Sequence, residues 1–133
     1  MSTEAIIEKI LAMNTIAVVG LSPREDQASN AVARYLLAQG YRIIPVNPGH
    51  NEILGLKSYS SLRDIPEPVE VVDVFRRPEY IVPIAEEAAA IGAKALWLQL
   101  GIVNDEAVRV AESAGLLAVQ NRCLMTEHAV RHY

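Results

Sequence analysis

The sequence has few of the residues that mark several large protein classes. Its 133 residues include one cysteine, one tryptophan and one phenylalanine, and the formal net charge is −4. One cysteine cannot form a disulfide within the chain, which is typical of a reducing compartment. Without excess positive charge, the chain has no general attraction to nucleic acid or to an anionic membrane. Any anionic ligand must therefore be held by local geometry.

The sequence also lacks the pattern of an export signal and of a membrane-spanning segment. Its N-terminal stretch, MSTEAIIEKILAM, carries Glu4, Glu8 and Lys9 within the apolar pattern, which predicts an amphipathic helix rather than a signal peptide. We therefore expect a cytoplasmic protein with neither a nucleic-acid nor a membrane partner. The sequence contains no linker, repeat or low-complexity tract, so residues 1–133 are predicted to form a single domain.

Five short apolar runs alternate with segments of helical spacing. The predicted strands are residues 15–19, 41–46, 69–75, 95–100 and 116–119. Crossover connections between such strands are right-handed in nearly all cases. The pattern predicts an α/β fold: a Rossmann-like, doubly wound parallel sheet of about five strands in the order 3-2-1-4-5, with helices on both faces. Ligands of such sheets bind beyond the carboxyl ends of the strands.

The loop after the first strand has the residues of an anion site. Gly20 lets the backbone turn, Ser22 offers a hydroxyl and Arg24 offers a forked cation. The helix that begins near Ser29 and Asn30 adds unpaired amides and the positive end of its dipole. A phosphate group fits there. The alternative interpretation is a solvated turn in which Ser29 or Asn30 caps the helix.

The next two strand ends also carry basic residues. Arg42 begins the second strand, and Asn47 and Pro48 follow it. Arg76 stands close before a helix predicted to start near Pro78, where a basic side chain is mildly unfavourable unless an anion offsets it. That anion is either a ligand or one of three glutamates of this region, namely Glu79, Glu86 and Glu87.

Signals of catalysis are missing from the strand ends. A G-x-G-x-x-G fingerprint is absent, and the second strand ends without the acidic residue that usually holds the ribose of a nicotinamide dinucleotide. A Ser-His-Asp arrangement, a Walker lysine and paired carboxylates are absent as well, so we expect a protein that is not an enzyme and holds no metal. The last two strand ends carry recognition groups instead: Gln99, Gly101, Asn121, Arg122 and Cys123.

Two polar residues lie within apolar surroundings. Asp73 is inside the third predicted strand and needs a partner there; such a residue is more often a structural acceptor than a catalyst. Cys123 is either a small buried side chain or a thiol that faces the ligand.

Taken in order, the strand ends resemble the small stand-alone CoA-binding proteins, which are similar to the CoA-binding domain of the succinyl-CoA synthetase alpha subunit. The resemblance covers nearly the whole chain and rests on six segments: IAVVGLS, ARYLLAQGYRIIPVNP, ILGLKSYSSLRDIP, VVDVFRRPE, ALWLQLG and VQNRC. It implies that CoA lies across the mouth of the sheet.

The resemblance also implies positions for the parts of the ligand. The diphosphate would contact Gly20, Ser22, Arg24, Ser29 and Asn30. The adenosine would lie near Arg42, Asn47 and Pro48. The remaining residues that border the ligand would be Phe75, Arg76, Gln99, Gly101, Asn121, Arg122 and Cys123. The synthetase carries its phosphohistidine in a further domain, so phosphoryl transfer is not implied.

The leading hypothesis is therefore non-catalytic binding of coenzyme A or a short acyl-CoA. One alternative is a small Rossmann enzyme, or enzyme subunit, that uses a nicotinamide nucleotide or CoA while a partner supplies the catalytic groups. Another is a protein-interaction domain whose pocket is vacant. The missing ribose acid disfavours a nicotinamide enzyme, and the polar strand ends disfavour a vacant pocket.

Overall fold

A computed structural model describes residues 1–132, which form five α-helices and seven strands. The helices are α1 (Thr3–Leu11), α2 (Ala28–Ala38), α3 (Ile81–Ala90), α4 (Asp105–Ser113) and α5 (Leu124–Ala129). The strands are β1 (Thr15–Val19), β2 (Arg42–Val46), β3 (Glu52–Ile53), β4 (Leu56–Lys57), β5 (Val71–Val74), β6 (Ala95–Leu98) and β7 (Leu117–Val119). Short 3-10 turns occupy Leu62–Asp64 and Pro78–Tyr80. None of the helices within residues 1–132 is long and apolar enough to cross a membrane.

The five longer strands form one parallel sheet with helices on both faces. Its order is β2-β1-β5-β6-β7. One face packs against α1, α2 and α5, which contribute Ile7, Leu36 and Leu124 to a buried cluster. The other face packs against α3 and α4, which bury Ala85 and Ala111. This arrangement confirms the predicted α/β, Rossmann-like fold class.

The predicted order of the strands needs correction. Counted as five, they lie in the order 2-1-3-4-5 rather than 3-2-1-4-5, because β5 pairs with β1 and not with β2. Tyr59 occupies the outer edge of β2 instead, where its N–H donates to Pro45 O at 3.0 Å and its carbonyl accepts from Asn47 at 2.9 Å. All four residues of β5 are buried, and an apolar strand of this kind requires a neighbour on both sides. The winding therefore reverses between β1 and β5.

Gly20 makes this reversal possible by bringing two strand ends into contact. Its φ is +87°, and a Cβ added there would lie 2.5 Å from the carbonyl oxygen of Phe75. Its N–H donates to Val46 O at 2.9 Å, while Phe75 N–H donates to Val19 O at 2.9 Å. Only glycine combines this backbone conformation with so close an approach of β5.

Asp73 is the charged residue of β5, the central strand of the sheet, and it is fully buried. Within the described part of the chain, neither of its carboxylate oxygens has a hydrogen-bond partner. Burial raises the pKa of Asp73 well above the ordinary aspartate value of 3.8, and the nearby Cys123 thiol raises it further. The structure thus favours the uncharged carboxylic acid.

We expect Gly20→Ala to destabilise the fold more than Gly40→Ala does. Both glycines have positive φ, but a Cβ at Gly40 meets nothing within 4 Å. The backbone conformation alone should cost about 1–2 kcal/mol at either position. The clash with Phe75 should add about 1–3 kcal/mol at Gly20. Urea unfolding of the two variants measures the difference, and equal losses would contradict the close contact between β1 and β5.

We also expect Asp73→Asn to be more stable than the parent at neutral pH. As the pH rises above 3.8, the unfolded chain releases the proton of Asp73 while the folded chain retains it. The free energy of unfolding of the parent therefore falls with rising pH, up to the raised pKa, and that of the variant lacks this decline.

Urea unfolding of the two proteins between acid and neutral pH tests this. The advantage of Asp73→Asn should shrink as the pH approaches 3.8. The matched control is Asp26→Asn, since Asp26 is exposed; it should stay within about 0.5 kcal/mol of the parent. Parallel curves for Asp73→Asn and the parent would show that Asp73 is charged in the folded protein.

Candidate functional site

The candidate site is a cavity at the point where the winding reverses. It has a volume of about 420 Å³ and opens at the carboxyl ends of β1 and β5. The residues that line it are Gly20, Ser22, Gln27, Ala28, Ser29, Phe75, Arg76, Arg77, Pro78 and Ile102. Open α/β sheets bind ligands at such a reversal. The corrected strand order therefore places the site between the first and third predicted strands.

The loop after β1 is held against the first turn of α2 by side chains. Ser22 N–H donates to Ser29 Oγ at 2.9 Å, and Asn30 Nδ2 donates to the Ser22 carbonyl at 2.9 Å. Ser22 Oγ in turn accepts from Arg24 N–H at 3.1 Å. Ser29 and Asn30 are buried, so both side chains serve the loop.

The helix start itself has no side-chain cap among the residues described. Gln27 stands at the N-cap position, and its side chain makes no capping hydrogen bond. The interpretation in which Ser29 or Asn30 caps α2 is thus wrong, because the helix begins one residue earlier, at Ala28. The amides of the first turn, with the positive end of the helix dipole, are the groups that this end of α2 offers to an anion.

Arg76 supplies a positive charge to the cavity. Its side chain is half-buried, and its guanidinium lies over the Tyr80 ring, with Cζ 4.9 Å from the ring centroid. Within residues 1–132, Arg76 forms no ion pair. Glu87 is engaged elsewhere: it pairs with Arg63 at 3.5 Å and accepts from Leu62 N–H at 2.7 Å. The charge of Arg76 is therefore not matched by a carboxylate among these residues.

Arg24 is less suited to the same role. Its guanidinium pairs with Asp26 at 2.9 Å, and 69% of its side-chain surface is exposed. It does not line the cavity between β1 and β5. The structure brings Arg24 to the same edge of the sheet as Arg76, but as a solvated and already paired charge.

The end of β2 borders a smaller adjoining cavity of about 190 Å³. Pro48 and Ser61 line it together with Arg76, so Arg76 connects the two cavities. Asn47 shapes this end of the sheet, since Nδ2 donates to the Leu21 carbonyl at 3.0 Å and Oδ1 accepts from Gly49 N–H at 2.9 Å. The structure thus places Asn47 and Pro48 beside the site.

Arg42 lies at the other end of the sheet. It is the first residue of β2, opposite Thr15 in the register of β1 and β2, and it forms a two-pronged ion pair with Glu67. The first residue of a parallel strand lies at the edge of the sheet opposite the carboxyl ends. The prediction that Arg42 lies near the adenosine is therefore corrected: Arg42 lies at the opposite edge of the sheet, in an exposed ion pair with Glu67.

The ends of β6 and β7 are joined to each other and to α5. Gln99 Oε1 accepts from Leu124 N–H at 3.2 Å, and Asn121 Oδ1 accepts from Gly101 N–H at 2.7 Å. Asn121 has a positive φ of 58°. The side-chain oxygens of Gln99 and Asn121, two residues predicted to border a ligand, thus hold the loops.

Arg122 and Cys123 line a second large cavity, of about 450 Å³, at the same edge of the sheet. The Arg122 carbonyl accepts from Trp97 Nε1 at 2.8 Å, and its guanidinium lies 3.5 Å from Glu127. Cys123 is half-buried and forms no disulfide within residues 1–132. Most predicted residues are therefore distributed around two neighbouring cavities.

A cavity of about 450 Å³ lies between α1 and the end of the chain, lined by Glu8, Leu11, Ala12, Arg131 and His132, and no strand end contributes to it. Within residues 1–132, no group of three His, Cys, Asp or Glu side chains is placed to hold a metal ion.

Several residues that line the cavity between β1 and β5 were not predicted from the sequence. Gln27 and Ala28 were missed because the helix was predicted to begin near Ser29. Ile102 follows the predicted strand end at Gly101, and only the corrected strand order shows that it faces the site. Arg77 could have been included as a candidate, because it follows Arg76 at a strand end.

Comparison with known proteins identifies relatives of the same size. Residues 14–129 match the family described as "CoA binding domain". YneT of Bacillus subtilis (strain 168), described as uncharacterised, is 42% identical over 129 residues, which are 96% of this chain and 96% of YneT. A "hypothetical protein from Pyrococcus horikoshii OT3" has a similar structure, with a TM-score of 0.92 and 43% identity, over 98% of this chain and 92% of that one.

A larger relative contains the same unit. The ADP-forming acetate–CoA ligase I of Archaeoglobus fulgidus is 31% identical over 129 residues, which are 89% of this chain but 19% of the ligase. This chain thus corresponds to about a fifth of that enzyme. The match over residues 14–129, together with a relative of equal size at 42% identity, establishes that the chain belongs to the CoA binding domain family.

Proposed function

We propose that this chain binds CoA, free or carrying a short acyl group, at the carboxyl edge of its sheet and without catalysing a reaction. The observation that carries the proposal is Arg76, a half-buried cation without an ion-pair partner among residues 1–132, beside the uncapped start of α2. Membership of the CoA binding domain family supplies the kind of anion.

The diphosphate fits the cavity between β1 and β5. Gly20 lines this cavity, and its lack of a side chain lets the end of β5, with Phe75 and Arg76, lie directly beside it. The first-turn amides of α2 can donate to the diphosphate oxygens, and Arg76 can add charge-assisted hydrogen bonds. In this arrangement Ser29 and Asn30 act through the loop that they hold, rather than by direct contact.

The adenosine fits the smaller cavity beyond Arg76, beside Pro48 and Ser61. The nicotinamide alternative is poorly supported there. A dinucleotide site of that type holds the ribose with a carboxylate at the end of the second strand, but here Asn47 stands at that end and its amide is engaged by Leu21 and Gly49. Glu87, which also lines the cavity, is engaged by Leu62 and Arg63.

The proposal of a non-catalytic role rests on the chemistry of the cavity between β1 and β5. Its polar groups are amides, two hydroxyls that already accept hydrogen bonds, and arginine guanidinium groups. Such groups bind anions, but they supply neither a nucleophile with an adjacent base nor a general acid. Hydrolysis of acyl-CoA by the purified chain that disappears in Arg76→Ala would contradict this part of the proposal.

We expect Arg76→Ala to weaken CoA binding about ten- to hundredfold, because a half-buried charge-assisted contact contributes about 1.5–3 kcal/mol. Arg24→Ala should weaken it no more than about fivefold, since an exposed and paired charge contributes about 1 kcal/mol or less. Isothermal titration calorimetry with CoA measures both changes. Melting curves of each variant check that the fold is intact.

The matched control is Arg42→Ala. It removes one positive charge, as the other two variants do, but at the opposite end of the sheet. Its CoA affinity should equal that of the parent, which separates local contacts from the change in net charge. Unchanged affinity in Arg76→Ala would show that the ligand lies elsewhere.

A further inference from the structure

The side chain of Asp73 points toward α2 and α5. Its neighbours Val72 and Val74 belong to the cluster beneath α3 and α4, and side chains alternate along a strand. Asp73 therefore shares the other face with Val18 and Trp97, which lie opposite it in β1 and β6. A buried carboxyl group without a partner on this face requires an explanation, because nearly all such groups are hydrogen-bonded.

Cys123 lies above the same face, with its backbone fixed on both sides. Trp97 Nε1 donates to the carbonyl of Arg122, the residue before it, at 2.8 Å. Gln99 Oε1 accepts from Leu124 N–H, the residue after it, at 3.2 Å. Cys123 packs against the cluster that contains Trp97, and it also lines the cavity of about 450 Å³ at the carboxyl edge. The thiol therefore lies between a buried acid and a cavity that opens to ligands.

The two cavities lie along one edge, at a separation that suits a single ligand. The proposed diphosphate site between β1 and β5 is two to three strand positions from the end of β7, which corresponds to roughly 10–14 Å at the usual spacing of strands. The extended pantetheine arm of CoA has a comparable length. A CoA molecule with its diphosphate beside Arg76 can therefore bring its sulfur to Cys123.

We propose that Cys123 forms a reversible mixed disulfide with the sulfur of bound CoA, above the buried carboxyl group of Asp73. This inference rests on the proposed CoA site and adds a redox function to it. The co-reactant is a CoA disulfide, in which the CoA sulfur is joined to the sulfur of a second thiol.

The exchange is balanced without any further oxidant. Cys123 loses its proton to solvent, and the thiolate attacks the CoA sulfur of the disulfide. The bond between Sγ and that sulfur forms while the original S–S bond breaks. The second thiol leaves with the electron pair of the broken bond and takes up a proton from solvent. One disulfide replaces another, and a reducing thiol reverses the reaction.

Asp73 is a positioning residue in this step. An ionised carboxylate near Cys123 would oppose formation of the thiolate, whereas an uncharged carboxylic acid would not. Burial, which raises the pKa of Asp73, favours the uncharged acid. Asp73 then adds no negative charge near the thiolate, and Glu127, which lines the same cavity, is paired with Arg122 and Arg131.

The test uses the reduced chain with CoA disulfide, and glutathione disulfide as the probe without a nucleotide. Intact mass measured over time under non-reducing conditions follows the adduct, and dithiothreitol should remove it. We expect CoA disulfide to react at least about tenfold faster, because anchoring at Arg76 gives its sulfur a high effective concentration at Cys123. Arg76→Ala should abolish this preference, and Cys123→Ser should give no adduct.

Calorimetry of the parent with reduced CoA separates the two proposals. Binding of reduced CoA without preference for CoA disulfide would overturn the exchange site and leave CoA binding intact. Failure to bind reduced CoA, together with equal rates for the two disulfides, would overturn both.

The pH profile of the exchange tests the role of Asp73. Asp73→Asn carries an uncharged amide at every pH. Its exchange rate should therefore continue to rise with pH in the range where ionisation of Asp73 slows exchange by the parent. Superimposable profiles of the variant and the parent would overturn the part assigned to Asp73.

Discussion

The contact between the backbone at Gly20 and the carbonyl of Phe75 is the constraint on which the rest of the edge depends. A Cβ at Gly20 would lie 2.5 Å from that oxygen, so the two strands can end side by side only with glycine at this position. Their pairing places the reversal of winding between β1 and β5. The cavity, the start of α2 and Arg76 all follow from that reversal.

Around this contact, most polar side chains are engaged in building the edge. Asn30 and Ser29 hold the first loop, Asn47 joins the ends of β1 and β2, and Gln99 fixes the start of α5. Such hydrogen bonds order the loops in advance, which lowers the entropic cost of binding. Arg76 differs from them, because its charge is not matched by a carboxylate within residues 1–132.

The sequence predicted the elements better than their arrangement. Apolar runs locate the strands because burial on both faces leaves a continuous hydrophobic signal, and β1 was predicted with its observed bounds. The strand order depended on the segment after β2, where Leu54 turns between β3 and β4 with a φ of +57°. A leucine carries no signal for such a turn, so the segment that covers the edge of β2 could not be recognised.

The residues of the site were likewise predicted better than their arrangement. Strand ends identify candidate residues, but only side-chain partners show that Arg42 and Arg24 are already paired with carboxylates. The central claim is that the reversal between β1 and β5 binds CoA. Native mass spectrometry of the chain with CoA, NAD and NADP at equal concentrations tests it most directly. We expect one CoA per chain, retained in preference to both dinucleotides; equal occupancy by NAD, or no retained CoA, would contradict the account.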